Sequence, residues 1–87
     1  MKEFNLKIST PAGDLYSGEA VSLTVRGTEG SLGIRAGHIP FVTVLRPSKC
    51  HFILPDNTIR TFECGAGLLL VEKELVTVLS SEIKMAE

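Results

Sequence analysis

The stretch that decides the fold lies in the middle of the chain, where residues 49–64 read KCHFILPDNTIRTFEC. Apolar and polar residues alternate on both sides of residues 55–58. Alternation with period two is typical of half-buried β-strands. The central segment contains proline, aspartate and asparagine, which supply turn geometry, so the whole stretch predicts a β-hairpin.

The register of this hairpin can be predicted from what each loop length would bury. A four-residue loop would either bury Glu63 or expose Phe62, because facing alternates along each strand. A five-residue loop, residues 55–59, pairs Leu54 with Arg60 instead. Burying a phenylalanine gains roughly 1.5–3 kcal/mol, whereas burying an unpaired carboxylate costs several. We therefore predict the five-residue loop. This loop puts four side chains on one face of the hairpin: Cys50, Phe52, Phe62 and Cys64. The two cysteines would then be directly opposed, and we expect them to be reduced thiols.

Similar short segments recur on both sides of the hairpin, separated by turn signals. They cover residues 4–9, 21–26, 41–45, 68–71 and 75–79. Many short strands with regular turns predict an all-β fold, an antiparallel sandwich or barrel.

Only the C-terminus resembles a helix. Ser80 or Ser81 could cap one turn through residues 82–86. One turn is marginal by itself because helix nucleation is costly. We expect a domain of residues 1–80 followed by a short, frayed tail, residues 81–87.

Composition excludes several classes of protein. The 87 residues are 44% hydrophobic and 22% charged, with a formal net charge of −1. These values are unlike a disordered chain, and they give no basic surface for nucleic acid. Asn5 and Lys7 interrupt any signal-peptide core, and no apolar run approaches the ~20 residues that span a bilayer. We expect a cytosolic location, which also suits two buried thiols.

One glycine-rich stretch is not typical of a strand core: residues 27–40 read GTEGSLGIRAGHIP. A structural interpretation is two consecutive turns around a short strand, residues 32–34. A functional interpretation is a shaped loop that contacts a partner, since loops on rigid scaffolds often carry binding sites.

Catalytic and metal sites find little support. Ser31, His38 and Asp14 could form a triad, but there is no G-x-S-x-G motif around the serine. A histidine bonded to loop backbone is the favoured interpretation of His38. The cysteines form no C-x-x-C pair, and adjacent Cys50 and His51 would point to opposite faces of a strand. No nucleotide motif is present, so we expect no cofactor.

Residues 27–34, GTEGSLGI, followed by residues 37–40, GHIP, closely resemble the signature of the ε subunit of F-type ATP synthases. Further segments match the family in order and spacing, and together they cover almost the whole chain: residues 10–13 (TPAG), 16–19 (YSGE), 65–71 (GAGLLLV) and 76–79 (VTVL).

The resemblance implies a β-sandwich of about ten strands at the foot of a rotary central stalk. It implies a non-catalytic subunit that binds the γ subunit and the polar loops of the c-ring, and so couples ion flow to ATP synthesis. Such a subunit lies peripherally at the cytoplasmic face of an energy-transducing membrane and is not inserted into it. The implied partner-binding residues are Glu29, Ser31, Leu32 and His38.

The chain departs from the family pattern at three loop positions. Ser31 stands where glutamate is usual, Ala36 replaces proline, and Ile39 replaces alanine. The chain also ends at Glu87, where typical members continue into a helical hairpin, so we expect no hairpin-mediated inhibition and no ATP binding. The alternative to a rotor subunit is a free-standing β-sandwich that binds a ligand or another protein.

Overall fold

The computed structural model describes residues 2–37 and 39–86, and within them it contains ten β-strands and no helix. The strands are β1 (Phe4–Thr10), β2 (Gly13–Ala20), β3 (Ser22–Gly27), β4 (Gly30–Ile34), β5 (Phe41–Leu45), β6 (Ser48–Ile53), β7 (Ile59–Cys64), β8 (Gly67–Val71), β9 (Leu75–Ser80) and β10 (Ile83–Met85).

The strands follow the order β10-β7-β6-β3-β5-β8-β9-β1-β2, and β4 pairs with β3 beside this path. Strand β3 joins the two layers of the sandwich, because Leu23 pairs with Phe52 of β6 whereas Gly27 pairs with Leu45 of β5. The predicted antiparallel sandwich of about ten strands is confirmed, with one exception. Strands β1 and β9 are parallel, which is possible because most of the chain lies between them.

Period-two alternation explains why these segments form strands. In β1, Phe4, Leu6 and Ile8 are buried, while Asn5 is exposed. The inward-facing residues of both layers meet in one core. Aromatic rings span it: the centroids of Tyr16 and Phe52 lie 4.8 Å apart, and those of Phe52 and Phe62 lie 6.0 Å apart.

The central hairpin, β6–β7, has the predicted facing but not the predicted register. The predicted face is buried as expected: Cys50, Phe52, Phe62 and Cys64. Ile53 pairs with Ile59, so the loop is residues 54–58, and Leu54 does not pair with Arg60. The cysteines are therefore not directly opposed, because Cys50 pairs with Phe62 across the two strands. Both thiols are free.

Local hydrogen bonds in the loop determine this register. The Leu54 N–H donates to the Thr58 carbonyl at 2.8 Å, and the Thr58 N–H donates to Asp56 Oδ1 at 2.9 Å. Asn57 has φ of +71°, a left-handed conformation that asparagine tolerates better than most residues. Donation from the Thr58 hydroxyl and N–H also lowers the pKa of Asp56.

The C-terminal segment forms a strand and not the marginal helical turn considered for it, because Ile83–Met85 forms β10 at the edge beside β7. Ile83 and Met85 pack against the core while Lys84 is exposed, which is the pattern of a strand. The Ser80 hydroxyl does accept a bond from the Glu82 N–H at 3.2 Å, as a cap would. Sheet pairing and burial outweigh one isolated turn of helix, which gains few hydrogen bonds.

Alternation does not predict strand β2, because most of its residues are exposed at the sheet edge. Its register with β1 shifts between Ile8 and Ser9. There the Ser9 hydroxyl donates to Asp14 Oδ1 at 2.6 Å, and the Lys7 Nζ lies 3.8 Å from Asp14 Oδ2. These polar contacts hold an edge strand that contributes little apolar surface to the core.

Candidate functional site

The most unusual surface of the sandwich is the outer face of β5, β8 and β9. We name it the apolar face and define it by five side chains: Val42, Val44, Leu68, Leu70 and Leu79. Strand pairing places them next to one another, since Val44 pairs with Leu68 and Leu68 pairs with Leu79, while Val42 pairs with Leu70.

These side chains are accessible. Val42 is 64% exposed and Val44 is 51% exposed, while Leu68 and Leu79 are also exposed. Ile39, just before β5, is 82% exposed. A contiguous apolar patch of this kind on the surface of a small domain marks an interaction surface.

The apolar face continues into a cavity of about 380 Å³ at one end of the sandwich. Leu68 and Leu79 belong to both the cavity lining and the face, and Pro11 and Ala66 also line the cavity. The signal for this surface was present in the sequence, because β5 and β8 carry apolar residues at consecutive positions rather than at alternate ones. Such a strand is apolar on both faces, and only one face can be in the core.

The glycine-rich stretch forms the β3–β4 hairpin. A two-residue turn, Thr28 and Glu29, joins Gly27 to Gly30. Gly30 has φ of +126°, in a region that L side chains rarely adopt, which explains a glycine here. The short strand predicted at residues 32–34 is confirmed and is slightly longer, Gly30–Ile34.

The four residues predicted to bind partners occupy different environments. Glu29 and Ser31 are exposed at and beside the tip of the β3–β4 hairpin. Leu32 pairs with Val25 and packs against the core, so it is half-buried. His38 lies outside the described residues. Of the three described residues, the two polar ones are therefore presented to solvent, while Leu32 mainly anchors the hairpin.

The residues considered for chemistry are dispersed or protected. Asp14 lies on β2, bonded to Ser9 and Lys7, whereas Ser31 lies on β4. Burial raises the pKa of the Cys50 thiol and, together with the nearby Cys50, that of the Cys64 thiol. Over residues 2–37 and 39–86, no three His, Cys, Asp or Glu side chains come together as metal ligands. In the same residues, no helix is long and apolar enough to cross a membrane.

The fold and its surfaces define a class: a small all-β sandwich domain with an exposed apolar sheet face and a protruding glycine-rich hairpin. Residues 3–86 match the family model described as ATP synthase, Delta/Epsilon chain, beta-sandwich domain. The chain belongs to this family.

Curated relatives agree with the family model. The chain is 34% identical over 80 residues to the ATP synthase epsilon chain of Psychrobacter sp. (strain PRwf-1), and equally so to that of Psychrobacter cryohalolentis. In both cases the match covers 92% of this chain and 58% of the relative. The chain thus spans little more than half the length of these relatives.

Solved structures share the fold at lower sequence identity. A chain of the Euglena gracilis mitochondrial ATP synthase, in an OSCP/F1/c-ring structure, superposes with a TM-score of 0.90 at 19% identity, covering 95% of this chain and 53% of that one. A chain from the central stalk and c-ring of the Tetrahymena thermophila mitochondrial ATP synthase gives a TM-score of 0.77 at 17% identity, covering 91% of this chain and 63% of that one.

Proposed function

We propose that the chain is a non-catalytic subunit of the rotor of an F-type ATP synthase, where it links the γ subunit to the c-ring. It is peripheral at the membrane and is held there through its partners. Membership of the ATP synthase delta/epsilon family supports this proposal. The observation that carries it is the apolar face, where exposed apolar side chains of three neighbouring strands lie side by side.

The apolar face suits the stalk partner, γ. Permanent interfaces are more apolar than transient ones and resemble a domain core cut in half. Strands β5, β8 and β9 are hydrogen-bonded in a sheet, so their outward side chains are held in place before binding. Little ordering entropy is then lost on association, which favours tight docking.

The polar tip of the β3–β4 hairpin suits the polar loops of the c-ring. Glu29 and Ser31 are exposed there, and the turn that carries them is short. The two surfaces lie on different elements, so one domain could contact both rotor parts at the same time. Rotation would then move the stalk and the ring together, which is the coupling that the proposal requires.

The first experiment tests the apolar face with a charge. An epitope-tagged chain carrying Val44→Asp is expressed in the source cells, and the complex is captured from detergent-solubilised membranes. We expect recovery of γ to fall at least about tenfold, because an unpaired carboxylate would be buried in the interface. The matched control is Ile59→Asp, which places the same charge on a residue that is 63% exposed but outside the apolar face.

Equal recovery of γ with Val44→Asp and with Ile59→Asp would contradict docking through the apolar face. A melting curve of each purified variant shows whether both remain folded. The hairpin is tested separately with Ser31→Cys, which should cross-link to a cysteine in a polar loop of the c-ring. The control, Thr61→Cys, is also exposed but lies on β7. Cross-linking of position 31 to catalytic-head subunits alone would show that the placement is wrong.

A further inference from the structure

A second surface, on the opposite layer of the sandwich, collects positive charge. A groove of about 400 Å³ runs over the outer side of β4, β3 and the start of β6. Arg26 and Ser31 face each other across the β3–β4 pair. Thr24 pairs with His51, so Lys49, two residues before His51, comes beside Arg26 in the next row. We name this surface the cationic groove; its lining is Thr24, Val25, Arg26, Ser31, Pro47, Ser48 and Lys49.

The cationic groove offers donors and no carboxylate. Its lining contains one guanidinium, one ammonium and three hydroxyls, of which that of Ser48 already donates to the Arg46 carbonyl, and no acidic residue. Within residues 2–37 and 39–86, neither Arg26 nor Lys49 makes an ion pair, and the Ser31 hydroxyl makes no hydrogen bond. Glu63 pairs with Lys49 in register but does not reach it within ion-pair distance. Among the described residues, Arg26, Ser31 and Lys49 thus concentrate unpaired donors in one concavity of a chain whose net charge is −1.

We propose that the cationic groove binds a carboxylate side chain of a protein partner, supplied by an acidic segment that packs beside the β3–β4 hairpin. A guanidinium binds a carboxylate through two parallel N–H···O bonds, and Arg26 is exposed and free to do so. The Ser31 hydroxyl donates from the facing strand, and Lys49 adds a charge-assisted bond. This proposal rests on the proposed function, because Ser31 belongs to the hairpin that meets the rotor partners.

The geometry favours a carboxylate over a phosphate. Phosphate sites typically use the N–H groups of a helix N-terminus or a backbone nest. The described residues contain no helix, and the groove is lined by side chains on extended strands. Glu63 also lies beyond Lys49, and it repels a phosphate dianion about twice as strongly as a single carboxylate.

The test uses the isolated chain, labelled with ¹⁵N, and an acetylated, amidated tetraglutamate peptide as the probe. We expect saturable shifts of the Arg26, Ser31 and Lys49 amide signals and weaker binding as salt is added. The variant Arg26→Gln/Lys49→Gln should raise the dissociation constant about fivefold, since exposed charge pairs contribute modestly. The matched control is Lys73→Gln, which removes an exposed cation from the distant β8–β9 turn and should change it less than about 1.5-fold.

Three results would overturn the proposal: equal weakening by Lys73→Gln, equal binding of a tetraglutamine peptide, or tighter binding of inorganic phosphate than of tetraglutamate. The outcome is separable from that of the proposed function. The peptide titration needs no rotor partner, whereas the Val44→Asp capture does not involve the cationic groove. If capture of γ responds to Val44→Asp but tetraglutamate does not bind, the proposed function stands and the cationic groove does not bind a carboxylate.

Discussion

Gly67 is the position where one added methyl group should disturb the sandwich most clearly. It opens β8 and pairs with both Leu45 of β5 and Ser80 of β9. A Cβ at this position would collide with the Leu79 carbonyl oxygen and would lie 2.9 Å from the Ser80 Cβ. Leu79 presents backbone atoms here, so no side-chain rotation relieves the contact, and β8 and β9 must separate.

We predict that Gly67→Ala lowers the free energy of unfolding by about 2 kcal/mol, within the range for overpacking a close contact. For a domain of this size, that corresponds to a melting temperature lower by roughly 8–16 °C. Urea denaturation followed by circular dichroism measures the first quantity, and a thermal melt measures the second.

The matched control is Gly33→Ala in β4. A Cβ at Gly33 would meet no heavy atom within 4 Å, and its φ is not in the left-handed region. We expect its stability to change by less than about 1 kcal/mol, with an increase possible because alanine restricts the unfolded chain. If Gly67→Ala were as stable as Gly33→Ala, the close approach of β8 and β9 would not be the constraint that requires glycine.

Two further predictions concern titratable groups. Cys50 and Cys64 are 3% and 4% exposed, and their thiol pKa values are raised. Iodoacetamide should therefore alkylate them at least about 100-fold more slowly in the native chain than in denaturing urea. Equal rates would show that the thiols are accessible. The pKa of Asp56 is lowered from 3.8, so its contribution to stability is present above that pH and is lost as pH falls through the folded-state value. The Asp56→Asn variant should therefore lose less stability than the parent chain when the pH falls below 3.8. Urea denaturation at a series of pH values measures this, and an equal fall of the urea midpoint in both proteins would contradict it.

The sequence alone determined which side is buried in β1 and in the central hairpin. Phe4, Leu6 and Ile8 alternate with polar residues, and the structure buries them as predicted. In the central hairpin, the choice between burying Phe62 and burying Glu63 was decided by magnitudes that do not depend on the rest of the fold. The family resemblance in residues 27–40 was also visible in the sequence, because the glycines of this motif are required by a local turn.

Part of the candidate site could be predicted in the same way. The hairpin that presents Glu29 and Ser31 follows from Gly30, whose backbone conformation is a local property. The half-buried position of Leu32 depends on pairing with Val25, which the sequence does not show. Consecutive apolar residues in β5 and β8 indicate a second apolar side, but only pairing shows that Val44 and Leu68 lie side by side in one apolar face.

Only the tertiary structure decided register, partners and edges. A shift of two residues leaves every side chain on its original face, so alternation cannot distinguish Leu54–Arg60 pairing from the observed Ile53–Ile59 pairing. The loop hydrogen bonds make that choice. The strand formed by Ile83–Met85 depends on an open edge at β7, and a three-residue segment has no preference strong enough to form a strand by itself. Where apolar and polar residues alternate, one strand is enough to show which side is buried, whereas register and edge pairing are properties of two strands, and the second strand is supplied by the fold.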